Sequence, residues 1–155
     1  MKSYLFIGID ISKATLDVCV LSPSDITDSH HHPFCNNSKG FSQLMKWLKQ
    51  NSEGLAPEEW RVCMENTGVY SFELNFFLHE KGIWQSMENA LQIKRSMGVV
   101  RGKTDKADSK IIAMYAYRFI DKLKPYVLPT STLLRLRALF AQRERLVGMH
   151  SQLLV

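Results

Sequence analysis

Two apolar runs in this chain each end in a carboxylate. The first, Tyr4–Ile9, reads YLFIGI and is followed at once by Asp10; the second, Trp60–Met64, reads WRVCM and is followed by Glu65. Runs of this length and apolarity are buried strands. Burying an unpaired charge costs several kcal/mol or more, so each acid either caps a turn or holds something positive. Neighbouring strands lie roughly 5 Å apart. If these two strands are adjacent, both carboxylates meet at one edge of a sheet, and the fold has to provide for that charge.

The remaining elements follow from periodicity and turn chemistry. Leu16–Leu21, rich in valine, forms a second strand joined to the first by the short polar stretch Ser12–Thr15, which makes a hairpin. His30–Cys35 reads as a third, exposed strand. Phe41, Leu44, Met45 and Leu48 fall at helical spacing in a helix that ends near Asn51. After the Trp60–Met64 strand, Asn66-Thr67-Gly68 turns the chain, and Phe72–Leu78 form a helix stopped by Lys81-Gly82. Ile83–Met87 is a further strand, with a short helix around Leu91–Ser96. Thr104 caps a helix whose first turn is Asp105-Lys106-Ala107-Asp108. After Pro125 and Pro129, a last helix runs from Thr130 toward Val155. Strands and helices alternating in this way give an α/β fold with a mixed sheet flanked by helices and a long C-terminal helix.

The last helix repeats apolar residues in steps of seven, at Leu133, Phe140, Val147 and Leu154 and at Leu139, Leu146 and Leu153. Such spacing suits packing on another helix, as a coiled coil, or folding back on the domain. The chain stops at Leu153-Leu154-Val155 with the stripe still running, so it is expected to be the N-terminal fragment of a longer protein. The domain boundary is placed at 124/125, with residues 1–124 as the globular domain and 125–155 as the start of a helical segment.

Charge is divided unevenly. Residues 1–93 hold 7 Lys/Arg and 11 Asp/Glu, whereas residues 94–155 hold 13 Lys/Arg and 4 Asp/Glu, within a net charge of +5. A basic half points to a polyanion partner, nucleic acid first; a solvated helical surface is the plainer reading of the charge alone. The 155 residues suit one domain with a sizeable core. No apolar run reaches the roughly 20 residues of a membrane span, and the N-terminus has no signal-peptide cleavage site. Cys19, Cys35 and Cys63 leave one thiol over in any disulfide scheme, so all three are expected to be reduced and packed in a cytoplasmic protein.

The acids carry the chemistry. Asp105 and Asp108, three residues apart in one helical turn, project from the same face. With Asp10 and Glu65 they make four carboxylates able to converge. Divalent cations relieve their repulsion: hard oxygen ligands suit Mg²⁺ or Mn²⁺, and two such ions about 4 Å apart clamp both oxygens of a phosphoryl displacement. Lys94, Arg95, Arg101, Lys103, Lys106 and Lys110 lie around the aspartate pair, and Lys13 follows Asp10; these would hold a phosphate backbone. Taken singly, an Asp after a strand is a turn former, Glu65 a partner for a lysine, and Asp105/Asp108 good residues for a helix N-terminus. His30-His31-His32 with Cys35 lacks the spacing of a zinc site, and Tyr70, Trp84 and Tyr115 are expected to pack rather than stack on bases.

Three blocks in this order, GIDISKATLDV, MENTGVY and KTDKADSKIIA, resemble the N-terminal domain of DEDD transposases of bacterial insertion sequences, over about Tyr4–Tyr117. The segment NALQIKRSMG is similar to that family's NPAQIKRF-type stretch, with Ala90-Leu91 where Pro-Ala is usual. The resemblance implies a RuvC-like, ribonuclease-H-type domain and a DNA transposase/recombinase activity. It also implies a metal-binding catalytic tetrad of Asp10, Glu65, Asp105 and Asp108 using Mg²⁺ or Mn²⁺. Further implications are a C-terminal serine domain beyond this chain, reached through a coiled coil, and a structured bridge RNA that guides recombination. DNA, the RNA and a second copy joined through the C-terminal helix are then the partners, in a bacterial cytoplasm at the nucleoid, and this fragment alone is incompetent for recombination. Three other readings stand beside this one: an actin-like or sugar-kinase ATPase lobe, a non-catalytic nucleic-acid-binding module, and a stand-alone junction resolvase of the same fold.

Overall fold

A computed structural model describes residues 4–66, 68–97 and 105–153. Its centre is a five-stranded sheet. β1 (Leu5–Ile11), β2 (Thr15–Leu21) and β3 (Ser29–Cys35) form an antiparallel meander. β4 (Trp60–Glu65) and β5 (Trp84–Glu88) add parallel to β1, giving the order β3-β2-β1-β4-β5. The two apolar runs are therefore direct neighbours. β1 runs two residues past its apolar run, so Asp10 is the penultimate residue of the strand and not the turn residue after it.

Alternation along the strands separates two cores. Leu5, Ile7, Ile9 and Ile11 face one side with Trp60, Val62 and Met64, where α1 (Ser38–Gln50) contributes Phe41, Leu44 and Leu48 and α2 (Phe72–Glu80) contributes Leu74 and Leu78. Phe6, Cys19, Leu21 and Cys63 face the other side, against Ile93 of α3 (Ala90–Met97) and Ile112, Ala113, Tyr115 and Ala116 of α4 (Asp105–Arg118). Helices thus cover both faces, as parallel β-α-β units require.

Local chemistry explains the ends. The Asn37 side chain accepts the Gly40 N–H at 2.9 Å and caps α1. Gly82, with φ +67°, takes the left-handed conformation that ends α2, the role expected for it from sequence. β3 is an edge strand, exposed along most of its length and carrying Pro33, both of which discourage further pairing.

Two packing expectations fail. Cys19 and Cys63 are buried, but Cys35 is exposed, because its position on the edge strand turns it out to solvent. Tyr70 is 44% exposed in a 3-10 turn, Gly68–Ser71, that the sequence pattern did not reveal. Tyr115 is buried as expected, and Trp84 is half-buried beside the Arg61 guanidinium. The last helix, α5 (Ser131–Leu153), presents Leu136, Leu139, Phe140 and Leu146 to solvent. Among the described residues, no helix is long and apolar enough to cross a membrane.

Candidate nuclease site

The register of the sheet assembles a row of acids. β1 and β4 pair in parallel with Ile9 opposite Met64, so the next residues, Asp10 and Glu65, stand side by side at the carboxyl ends of their strands. Glu65 pairs with Glu88 on β5, and Asp10 pairs with Asp17 on β2. Residues aligned across a sheet share a face. Here it is the α4 face, the one that Gly8 and Cys63 occupy two residues earlier. Four carboxylates therefore lie in one row, and Asp10, Asp17, Glu65 and Glu88 are each half-buried.

α4 is held over this row by small residues. Ser109, Ala113 and Ala116 are fully buried at its contact with the sheet. Beneath them is Gly8, where a Cβ would lie 2.2 Å from the Ser109 carbonyl oxygen and 2.3 Å from the Ala113 nitrogen. Only glycine allows this approach. Further along, Tyr117 meets Phe6 edge-on at 5.3 Å. The helix thus runs antiparallel to β1, and its acidic first turn lies at the Asp10 end of the sheet. Asp108, in that turn, is half-buried. Asp105 is the first residue of α4; its side chain, like that of Lys106, lies outside the described residues, as do Thr104, Arg101 and Lys103.

Of the other basic residues expected from sequence, Lys13 is exposed in the β1–β2 turn, Lys94 and Arg95 are exposed in the last turn of α3, and Lys110 is exposed on α4. Among the described residues, no three His, Cys, Asp or Glu side chains are grouped closely enough to hold a metal ion. The available donors are carboxylate oxygens, the set that hard divalent cations take.

Two acids of the row escaped the sequence reading. Burial raises the Glu88 carboxyl above its ordinary value of 4.5, and a hydrogen bond with Tyr115 opposes the shift. Glu88 in turn acts on its neighbours. Burial pushes the Cys63 thiol up to about 12, with the Glu88 charge adding to the rise; Tyr115 is also raised, by burial first and Glu88 next. Gln92 of α3 donates to the Tyr115 hydroxyl at 3.0 Å, linking the two helices beside the row. Asp17 pairs with His31 Nε2 at 3.1 Å. The signal that could have found both is their shared alternation with Asp10 and Glu65, but it becomes readable only once the strand order is known.

A family model for DEDD transposases of the IS110 type, described as Transposase, matches residues 7–154. The chain belongs to the DEDD transposases. This transposase chain is 31% identical over 146 residues to the pilin gene-inverting protein of Moraxella bovis, covering 92% of the chain and 42% of that relative. The pilin gene-inverting protein of Moraxella lacunata matches to the same extent. The chain spans about two fifths of the length of the curated relatives it matches. In fold, the DEDD transposase domain is similar to Thermus thermophilus RuvC in complex with a Holliday junction substrate. The TM-score is 0.52 and the identity 14%, with 79% of this chain and 99% of that chain covered. A second Thermus thermophilus RuvC structure gives the same values. The fold is thus RuvC-like, of the ribonuclease-H type, and membership in the transposase family sets aside the ATPase-lobe reading.

Proposed function

We propose that this chain is the metal-dependent nuclease domain of a DNA recombinase, with Asp10, Glu65, Asp105 and Asp108 as the ligands of Mg²⁺ or Mn²⁺. The observation that carries the reading is the register that seats Asp10 beside Glu65 on the face covered by the acidic end of α4. Like charges held this close repel unless a cation or a proton separates them. A divalent cation held there supplies Lewis-acid stabilisation of the phosphoryl oxygens and a water of lowered pKa.

The chain's own residues supply rigidity and position. Asp10 and Glu65 project from adjacent strands of a buried sheet, so neither moves independently of the other. Lys13, Lys94, Arg95 and Lys110 are exposed; with Arg101, Lys103 and Lys106 they supply the positive charge that positions a phosphate backbone without reading its sequence.

The substrate is DNA undergoing strand cleavage and exchange, and recognition is guided by a structured RNA. Residues 1–124 form the nuclease domain. Residues 125–155 open a helical segment that joins two copies and leads toward a serine-bearing domain. The chain alone binds metal and nucleic acid but does not recombine, and it works in the bacterial cytoplasm at the nucleoid.

Thermal melting tests the site. Mn²⁺ raises the Tm of the wild-type chain, and Asp10→Ala or Glu65→Ala removes the rise. A rise that survives both substitutions, or no rise in the wild type with or without DNA, overturns the reading. Incubation with branched DNA separates a stand-alone resolvase from a recombinase domain: the resolvase cuts it, and this chain is expected to leave it joined.

A further inference from the structure

A cavity adjoins the acid row. It has a volume of about 780 Å³ and lies between the Gly68–Ser71 turn, the end of β5 and the first half of α5. Asn66 and Met87, in its wall, are the chain neighbours of Glu65 and Glu88. The groove and the row therefore share the same two strand ends and lie on opposite sides of them.

Its lining is mixed in a specific way. Phe72 offers an aromatic face with the Arg137 guanidinium 5.8 Å from the ring centre, and Leu134 and Ala141 of α5 close the far side. Tyr126 is fixed in the wall by its N–H, which donates to the Gln85 carbonyl at 2.7 Å. Asn66 is fixed as well: its N–H donates to the Glu88 carbonyl at 3.0 Å and its side-chain oxygen accepts from Gly68 at 3.3 Å. An aromatic face, a guanidinium plane and an immobilised amide are what a heterocyclic base uses for stacking and edge contacts.

We propose that this groove takes one unpaired nucleobase of the nucleic-acid strand whose phosphate lies at the Asp10–Glu65 edge. The proposal rests on the nuclease reading for that phosphate. Charge selects the occupant. α5 carries Arg135, Arg137, Arg143 and Arg145 against one acid, Glu144, which is already paired with Arg143 at 2.8 Å. A second copy presenting the same helix brings like charge to the groove, whereas a nucleic-acid strand brings opposite charge. The apolar walls then favour the base over the phosphate.

The test uses the whole 155-residue chain and two DNA duplexes that differ only at one unpaired position, 2-aminopurine in one and an abasic sugar in the other. The wild type is expected to bind the base-containing duplex about tenfold more tightly, the range of one base–aromatic stack, and to change the 2-aminopurine fluorescence. Ala141→Trp, at an exposed helix position that fills the groove without touching the core, removes both effects and leaves the salt dependence of binding unchanged. Phe72→Ala reduces the preference in the same direction, and melting curves establish that both variants fold. Equal wild-type affinity for the two duplexes, or a preference that survives Ala141→Trp, overturns the proposal. So does a wild-type mass that doubles in light scattering and reverts in Ala141→Trp with no base preference, which would give the groove to a second copy. The Mn²⁺ melting shift on the same samples keeps the two readings apart. If Asp10→Ala abolishes the shift and the base preference is absent, only the groove assignment fails; a base preference without any Mn²⁺ shift removes only the metal site.

Discussion

Gly8 lies directly beneath Ser109, with no room for a side chain between β1 and α4. This contact sets the height of the acidic helix end above Asp10. Gly8→Ala forces the helix backbone off the sheet and is expected to destabilise the domain by about 3 kcal/mol, the upper end of the range for overpacking. Denaturant melts measure the effect. A variant that still folds should also show a smaller Mn²⁺ response, because Asp108 moves away from the sheet.

Crowded carboxylates cost stability when no cation is present. Glu65→Gln keeps the shape and removes one charge from the row. It is expected to raise the Tm of the metal-free chain by about 2–4 °C, equivalent to roughly 1 kcal/mol, and to abolish the further rise with Mn²⁺. An unchanged metal-free Tm would show that the row carries no net repulsion.

Glu88 gives a pH signature. Its carboxyl is raised by burial, so between the unfolded and folded values the native state holds a proton that the unfolded chain has released. The native state binds more protons, and stability falls as pH rises through that window. Below the ordinary value of 4.5 the group contributes no difference, since it is protonated in both states. Glu88→Gln should therefore flatten the decline above 4.5 and leave the chain more stable than wild type at neutral pH, as read from melts across pH.

His31 supports Asp17, the residue opposite Asp10. His31→Ala leaves a half-buried carboxylate without its partner, at a cost of about 1 kcal/mol. Asp17→Asn with His31→Ala should cost less than the sum of the two single changes; a double-mutant cycle with no coupling would show that the pair contributes nothing.

Lys94 and Arg95 are exposed at the end of α3. Replacing both by alanine should weaken binding of duplex DNA and lower the slope of log K against log salt by about 2, at roughly 0.9 for each phosphate no longer neutralised. An unchanged slope would take α3 off the binding surface.

Nearly every strand and helix of this protein was legible in the sequence, because each depends on local patterns: apolar runs for β1 and β4, helical spacing for α1, a Lys-Gly stop after α2. The sequence also singled out Asp10, Glu65, Asp105 and Asp108 as candidates, as acids close to the ends of such elements. Only the tertiary structure decided that β1 and β4 are neighbours in a register that joins Asp10 to Glu65, and that Asp17 and Glu88 extend the row. It also decided that Tyr70 and Cys35 face solvent and that α5 closes a groove beside the acids. The reason is physical: alternation and helical periodicity fix which face a residue takes within its own element, while parallel strand pairing joins segments far apart along the chain through contacts that no single stretch of sequence contains.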